Sequence, residues 1–181
     1  MERNIAHIAL FAALIAALGL IPKFTLAFGV PITGQSLGVM LCGTVLGAKR
    51  GALAVLLFLA LVALGLPLLA GGRGGLGVFA SPTVGFLIGF PIAAFVTGLI
   101  VERWRTGKLV VVASVASVIG GILVMYVFGV LGLAQTLNKT IPEATLLVTA
   151  FIPGDIIKAV LAGLITAALA KSRPASVFSR S

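Results

Sequence analysis

The sequence predicts an all-α integral membrane protein with six transmembrane helices and both termini in the cytoplasm. Three observations lead to this fold class. The 181 residues have a mean hydropathy of +1.26 and only 9% charged residues, whereas a soluble domain has about 25%. Apolar runs of roughly 20 residues, the length that crosses a bilayer, recur along the chain. The basic residues cluster in alternate connections between these runs, which sets the orientation.

Six apolar runs supply the predicted spans, and no linker is long enough to divide them into two domains. We place them at 5–22, 30–48, 51–66, 84–101, 109–133 and 150–170. The first run has no clear cleavage site, so we interpret it as a retained helix rather than a signal peptide. The second begins with polar residues, which predicts that it enters the lipid less cleanly. We expect one membrane domain over residues 1–181, ending in a short, disordered cytoplasmic tail at about 172–181.

The formal net charge of +9 does not indicate nucleic acid in a chain this apolar, because positive residues set membrane topology. With the N-terminus inside, nine of the 13 basic residues lie in the cytoplasm. These are Arg3, Lys49, Arg50, Arg103, Arg105, Lys108, Lys171, Arg173 and Arg180. The other four are Lys23, Arg73, Lys139 and Lys158. The opposite orientation would reverse this bias.

This orientation gathers three unusual segments on the outer side, at 24–36, 66–85 and 140–155. Each is rich in Gly, Pro or hydroxyl residues and is still strongly apolar. Irregular backbone at membrane depth is stable only when it is buried in protein or lines a cavity. We therefore expect the three segments to form the walls and lid of a pocket.

Two charged residues lie inside the last apolar run, in the stretch FIPGDIIKAV. Asp155 and Lys158 are three positions apart, so they can pair on one face of a helix. Pro153 and Gly154 mark a helix start or break, and a carboxylate beside a helix N-terminus is favoured by the helix dipole. The pair is either a structural ion pair that closes a helix end or a recognition pair at the floor of the pocket. Ionisable residues inside a membrane usually indicate function, which favours recognition.

The second outer segment contains GGRGG, formed by Gly71, Gly72, Arg73, Gly74 and Gly75. Its glycines match the spacing of the dinucleotide fingerprint, but the strand, helix and acidic residue that this motif requires are missing. Glycines around one arginine make a flexible loop that could close over a ligand, with Arg73 available to bind a carboxylate. A simple exposed loop is the alternative.

Another pattern, GQSLG, matches the nucleophile elbow of hydrolases around Ser36. A catalytic role would require a nearby histidine. His7 is the only histidine of the chain, and it lies at the opposite end of a predicted span. We therefore regard the match as accidental and expect His7 to be a packing or interfacial residue.

The first span carries small residues at every fourth position: Ala9, Ala13 and Ala17. This alanine stripe lets another helix approach closely. That helix could belong to the protein's own bundle or to another membrane protein, and the sequence leaves both open. No nucleotide, metal or cofactor motif is present. If the protein moves a solute uphill, the energy must come from another subunit or from an ion gradient.

Four motifs in order resemble one known family. VPIT-x-Q-S-LGV follows the first span, LG-x-KRG joins the second and third spans, and GLP…GGRGG…SPT-x-GF-x-x-GFP leads into the fourth. PGD-x-x-K-A begins the sixth. Together they resemble the BioY family, the biotin-binding substrate-capture (S) components of energy-coupling factor (ECF) transporters, over residues 30 to 159.

The resemblance implies a six-helix protein of the bacterial inner membrane that binds biotin near the outer surface and is not an enzyme. It also implies partners, namely a transmembrane coupling protein and cytoplasmic ATPases, which would contact the alanine stripe. It places Asp155 and Lys158 in the biotin site. The weaker candidates are Thr33, Gln35, Arg73, Ser81 and Thr83, with the four loop glycines as the hinge of a lid. A biotin carrier that works alone and a membrane enzyme for a small amphiphile are the alternatives.

Overall fold

The computed structural model describes residues 2–21, 24–25 and 31–180, and within them the chain is a bundle of helices. Helices α1 to α4 are Glu2–Leu18, Gln35–Leu46, Ala48–Ala63 and Val84–Arg103. Helices α5 and α6, Leu109–Val118 and Met125–Thr136, are joined by a π-helical turn at Ile119–Val124. Helices α7 and α8, Ile141–Val148 and Ile152–Ser172, are joined by a 3-10 turn at Thr149–Phe151. The connections hold a short antiparallel pair, β1 (Phe24–Thr25) and β2 (Pro31–Ile32), and 3-10 turns at Leu76–Ala80, Pro174–Ser176 and Phe178–Arg180.

Three helical stretches of the described chain are long and apolar enough to cross a membrane: Val84–Arg103, Leu109–Thr136 and Ile141–Ser172. Helix α2 has 12 residues, which rise about 18 Å and fall short of the ~30 Å hydrocarbon core. The polar start of the second predicted span is thus followed by a helix that is shorter than the hydrocarbon core is thick. The fold is that of a helical membrane protein.

Helices α2 and α4 form the centre of the bundle, and glycines allow their close contacts. A side chain at Gly43 would place its Cβ 2.6 Å from the carbonyl oxygen of Ala94. At the crossing of α4 and α6, a Cβ on Gly132 would lie 2.6 Å from Gly85. Distances this short leave no room for any side chain. Glycines at these helix crossings therefore serve helix packing, as expected for a membrane bundle.

The turn between α2 and α3 consists of Gly47 alone, whose φ of +83° is a conformation that glycine adopts without strain. The amide of Ala48 donates to Glu102 Oε1 at 2.9 Å. This carboxylate from the end of α4 satisfies the first free N–H group of α3. The turn therefore fixes α2, α3 and α4 to one another at one end of the bundle.

The expectation of irregular backbone over 140–155 is wrong, because this segment is helical. Thr140 and Glu143 form a capping box that starts α7, with a proline in its first turn. Proline at that position removes only an N–H group that has no intrahelical partner. The last helical stretch consequently begins at Ile141, about nine residues before the predicted span. The segment 66–85 is irregular as predicted, apart from the turn Leu76–Ala80 and the first residues of α4. In 24–36, residues 26–30 lie outside the described part of the chain, and the rest holds β1, β2 and the start of α2.

The prediction of a disordered C-terminal tail is also wrong. Val177, Phe178 and Ser179 are buried, and Ser179 Oγ donates to the backbone oxygen of Thr44 at the end of α2. The Phe178 ring contacts His7 edge-on, with the ring centres 4.8 Å apart, and the guanidinium of Arg50 lies 4.7 Å from its centre. One aromatic anchor thus folds the tail back onto the start of α1.

Candidate functional site

The polar side chains of the candidate site come from the N-terminal ends of two helices. Ser36 lies in the first turn of α2, and Asp155 lies in the first turn of α8. The helix dipole favours a carboxylate at such a position. Lys158 follows one helical turn after Asp155, as the spacing in the sequence predicted. The two helix starts meet, so residues 119 positions apart come into contact.

Asp155 is the centre of a closed hydrogen-bond network. Its Oδ1 accepts from Lys158 Nζ at 2.7 Å and from Ser36 Oγ at 3.1 Å. Its Oδ2 accepts from the hydroxyl of Tyr126 at 2.8 Å. Lys158 Nζ also donates to Ser36 Oγ at 3.0 Å. The carboxylate is therefore fully compensated, although Asp155 is only 5% exposed.

The ammonium of Lys158 is less fully used than the carboxylate. It carries three N–H donors, and two of them reach Asp155 and Ser36. The third has no protein partner among the described residues. The Lys158 side chain is 16% exposed, twice the 8% of Asp155. One donor of a partly buried ammonium is thus left at the space beside the network.

This space is a mostly apolar cavity of about 70 Å³. Aromatic rings from α4 and the turn before α8 line it, together with the polar network and the second outer loop. The lining residues are Ile32, Thr33, Gln35, Ser36, Leu69, Arg73, Thr83, Phe86, Leu87, Phe90, Met125, Phe151, Asp155 and Lys158. Typical ligand sites occupy ~300–1,000 Å³. The walls must therefore separate to admit a molecule larger than a few waters.

Arg73 adds a second cation to the cavity wall. It belongs to the loop between α3 and α4, and burial lowers the pKa of its guanidinium. Arginine nevertheless remains protonated at neutral pH, since its ordinary pKa is above 12. Arg73 and Lys158 are the cations of the lining, and Asp155 is its carboxylate, so the lining has a net charge of +1. A ligand with a single negative charge would neutralise it.

Gln35 holds the loop that carries Arg73. Its Nε2 donates to the backbone oxygens of Ile15 and Leu68 at 3.2 and 3.1 Å. Its Oε1 accepts from the amide of Ala70 at 3.0 Å. These three bonds occupy the whole side-chain amide apart from one lone pair. Gln35 therefore fixes the loop to α1 and α2, a role that the sequence did not indicate.

We expect Gln35→Leu to loosen this loop, because the change removes all three hydrogen bonds at similar side-chain volume. At about 1 kcal/mol for each bond, the free energy of unfolding should fall by roughly 2–4 kcal/mol. Hydrogen–deuterium exchange of a peptide covering 66–76 should become faster. Gln135→Leu, at an exposed position of α6, is the matched control. Equal exchange in both variants would show that Gln35 does not hold the loop.

The structure brings most of the sequence-predicted residues to the cavity. Thr33, Gln35, Arg73, Thr83, Asp155 and Lys158 line it. Ser81 does not, since its hydroxyl contacts the oxygen of Val78 and the hydroxyl of Thr83. The four loop glycines flank Arg73 without lining the cavity. Gly71, Gly72 and Gly75 have φ values of +81°, +69° and +80°, which explains glycine at these positions.

Sequence reasoning did not predict that Ser36 and Tyr126 belong to the site. It also missed three phenylalanines of the lining, Phe86, Phe90 and Phe151. Ser36 appeared in an accidental hydrolase pattern and in the motif VPIT-x-Q-S-LGV, but neither assigned it a role in the site, and its lysine partner is Lys158 rather than a histidine. His7 lies at the other end of α1, with its Nδ1 at 2.7 Å from the oxygen of Arg3. Tyr126 did give a signal, because it is the single tyrosine of the chain and lies within an apolar run. A buried hydroxyl in such a run requires a partner.

The bundle and its cavity define a helical membrane protein with a small-molecule site. The BioY family model matches residues 2–175. The chain is 55% identical to the biotin transporter BioY of Rhodobacter capsulatus, covering 99% of this chain and 100% of that protein. It is 53% identical to the biotin transporter BioY of Rhizobium etli, covering 95% of each. The chain therefore belongs to the BioY family.

A solved structure shows the same fold. It is the crystal structure of the S-component for biotin from an ECF-type ABC transporter, which superposes with a TM-score of 0.90 at 30% sequence identity. The match covers 97% of this chain and 96% of that one. The whole bundle is thus shared with a biotin S-component.

Proposed function

We propose that this chain is the high-affinity biotin-binding S-component of an ECF-type importer. The observation that carries the proposal is the network of Ser36, Asp155 and Lys158 at the wall of the cavity, which Tyr126 joins through Asp155. Relatives of the chain in Rhodobacter capsulatus and Rhizobium etli are named biotin transporters, and the fold of the chain matches that of a biotin S-component.

Biotin suits the cavity chemically. Its ureido ring offers two N–H donors and one oxygen acceptor, its thiophane ring is apolar, and its valerate chain ends in one carboxylate. Asp155 can accept from a donor, and the remaining N–H of Lys158 can donate to an oxygen. The net charge of +1 matches a monocarboxylate. Phe86, Phe90 and Phe151 provide apolar walls for the rings. Analogues that leave buried polar groups unpaired would bind much more weakly.

The loop that contains Leu69 and Arg73 serves as the lid in this proposal. Both residues line the cavity, and their backbones exchange hydrogen bonds of 3.0 and 3.2 Å. Since the cavity holds only about 70 Å³, entry of biotin requires the loop to move outward. Glycines on both sides of Arg73 allow that movement at low conformational cost.

Titrated binding of tritiated biotin to the purified protein in lipid nanodiscs tests the function. We expect saturable binding, with displacement by excess unlabelled biotin. Absence of saturable binding by a folded, monodisperse protein would refute the proposal. Uptake by cells with and without the coupling protein and ATPases then separates an ECF subunit from a carrier that works alone.

A membrane enzyme is the other class considered, and one contact bears on it. Lys158 Nζ lies 3.0 Å from Ser36 Oγ, the arrangement of a serine–lysine pair. Nζ donates to Ser36 Oγ, and the Ser36 hydroxyl itself donates to Asp155 Oδ1 at 3.1 Å rather than to the lysine nitrogen. The contact therefore supports binding rather than catalysis, and we propose that the protein is not an enzyme.

The proposed topology has six spans in a single domain, residues 1–181. Contacts at the two ends of the bundle support it. Hydrogen bonds at the site end join Ser36 and Tyr126 to Asp155 and connect the loop at Leu68 to α2. Hydrogen bonds at the opposite end join Ala48 to Glu102 and Ser179 to Thr44. The six proposed spans, with α5–α6 and α7–α8 counted as one span each, must then alternate in direction between the ends. Both termini belong to the opposite end, because His7 contacts Phe178. The basic residues at that end support a cytoplasmic position by the positive-inside rule, and we propose the bacterial inner membrane as the location.

Single cysteines test this topology in a Cys42→Ser background. We expect Lys139→Cys to react with a membrane-impermeant maleimide in intact cells, because it lies beside the site end. Arg105→Cys should react only after the membrane is opened. Both residues are exposed. The reverse labelling pattern would contradict the orientation.

A further inference from the structure

Two adjoining grooves flank Leu99 near the C-terminal end of α4. One, with a volume of about 360 Å³, has Lys49, Arg50 and Phe95 in its lining. The other, of about 370 Å³, is lined by Leu99, Ile100, Arg103 and Trp104. Together they form what we term the α4 groove. It is at the end of the bundle opposite the candidate site, so it is separate from the cavity around Asp155.

A stripe of large apolar side chains leads along α4 into this groove. Ile88, Ile92 and Phe95 are 52%, 37% and 39% exposed. Their spacing of four and three residues places them on one face of the helix. The small residues of α4, such as Ala94 and Gly98, instead face the bundle. The outer face is thus built from long side chains, which suit acyl chains, whereas close helix docking in membranes favours small ones.

The polar end of the groove is basic. Lys49 and Arg103 are both exposed. Glu102 is the carboxylate of the lining, and it already accepts the amide hydrogen of Ala48 at 2.9 Å. Within the described residues the ion pair found is that of Lys158 with Asp155, so neither cation is paired with a carboxylate. The α4 groove thus combines an apolar surface with two unpaired cations at one end, which is complementary to an anion with hydrocarbon tails.

Trp104 fixes the depth of this basic end. It is 41% exposed and directly follows α4. Tryptophan concentrates at the level of lipid headgroups, so Lys49 and Arg103 are at the depth of lipid phosphates. We propose that the α4 groove binds an anionic phospholipid, whose phosphate contacts Lys49 and Arg103 and whose acyl chains lie along Ile88, Ile92 and Phe95. This inference rests on the proposed cytoplasmic orientation, where anionic lipids are abundant, and does not depend on biotin.

Native mass spectrometry of the protein released from nanodiscs of equal phosphatidylglycerol and phosphatidylcholine tests this site. We expect the wild type to retain phosphatidylglycerol preferentially. In the double variant Lys49→Gln/Arg103→Gln, that preference should fall by roughly tenfold. The control is Lys139→Gln/Lys171→Gln, which removes the same charge at exposed positions elsewhere and should keep the preference. Glycerol phosphate should not displace the lipid, since it lacks acyl chains.

Size-exclusion chromatography and the melting temperature establish that each variant is folded, without reference to biotin. Equal lipid preference in the double variant and the control would overturn the proposal. So would displacement by glycerol phosphate, which would indicate a site for free phosphate. Unchanged lipid retention with loss of copurifying membrane partners in the double variant would instead make the groove a protein-docking surface.

Discussion

Asp155→Asn should weaken biotin binding by roughly 30-fold to several thousand-fold, the equivalent of about 2–5 kcal/mol. Asparagine has nearly the same shape, but it removes the charge that compensates Lys158 in a buried setting. It also replaces one carboxylate oxygen with an amide donor, which faces the hydroxyl or ammonium donors around it. Lys158→Ala should have an effect of similar size, because it leaves the carboxylate buried without its cation. Equilibrium binding of tritiated biotin measures both.

Two further variants separate recognition from folding. Tyr126→Phe removes one hydrogen bond to Asp155 Oδ2, so affinity should fall by only about five- to tenfold. Lys171→Ala, at an exposed position near the end of α8, should leave affinity unchanged. If Asp155→Asn and Lys158→Ala instead abolish membrane expression or lower the melting temperature without changing affinity, the pair is structural.

The charged pair could be found from the sequence because its physical signal is local. A carboxylate and an ammonium three residues apart in an apolar run have a high desolvation cost, and helix geometry pairs them. Ser36 and Tyr126 complete the same network from α2 and α6, 119 and 29 residues away from Asp155. No spacing rule links such positions, since tertiary packing alone brings them together. Biotin was predicted as the ligand from the resemblance to a family, and not from the chemistry of single residues.

Local chemistry was misjudged where polar residues were taken as irregular structure. In 140–155, Thr140 and Glu143 act as a capping box, a helix start that the pattern T-x-x-E can indicate. In the tail, the short sequence Val177–Phe178 is apolar enough to be buried against α1 and α2. Composition alone predicted disorder there, because burial of one aromatic ring depends on a surface that the sequence does not reveal.

The second large effect concerns the alanine stripe on α1. Ala9, Ala13 and Ala17 are exposed, whereas Ala12 is only 3% exposed and faces the bundle. Among the residues that the structure describes, nothing covers the stripe, so it is available for docking to the proposed coupling protein. A large side chain on this face would hold a partner helix away from the close approach that small residues permit.

Ala13→Trp should therefore abolish ATP-driven biotin uptake and copurification with the coupling protein, with biotin affinity unchanged within about twofold. Ala12→Trp, one position away, should lower expression and biotin binding together, because overpacking a buried site destabilises by roughly 1–3 kcal/mol or more. Ala168→Trp, at an exposed alanine of α8, controls for bulk at the lipid surface and should leave uptake intact.

Uptake assays and affinity purification of the tagged complex measure these outcomes. If Ala13→Trp leaves uptake and copurification at wild-type levels, the partner docks on another face. If it instead lowers biotin binding as strongly as Ala12→Trp does, then the exposed face of α1 supports the fold of the site, and the separation of the two faces is wrong.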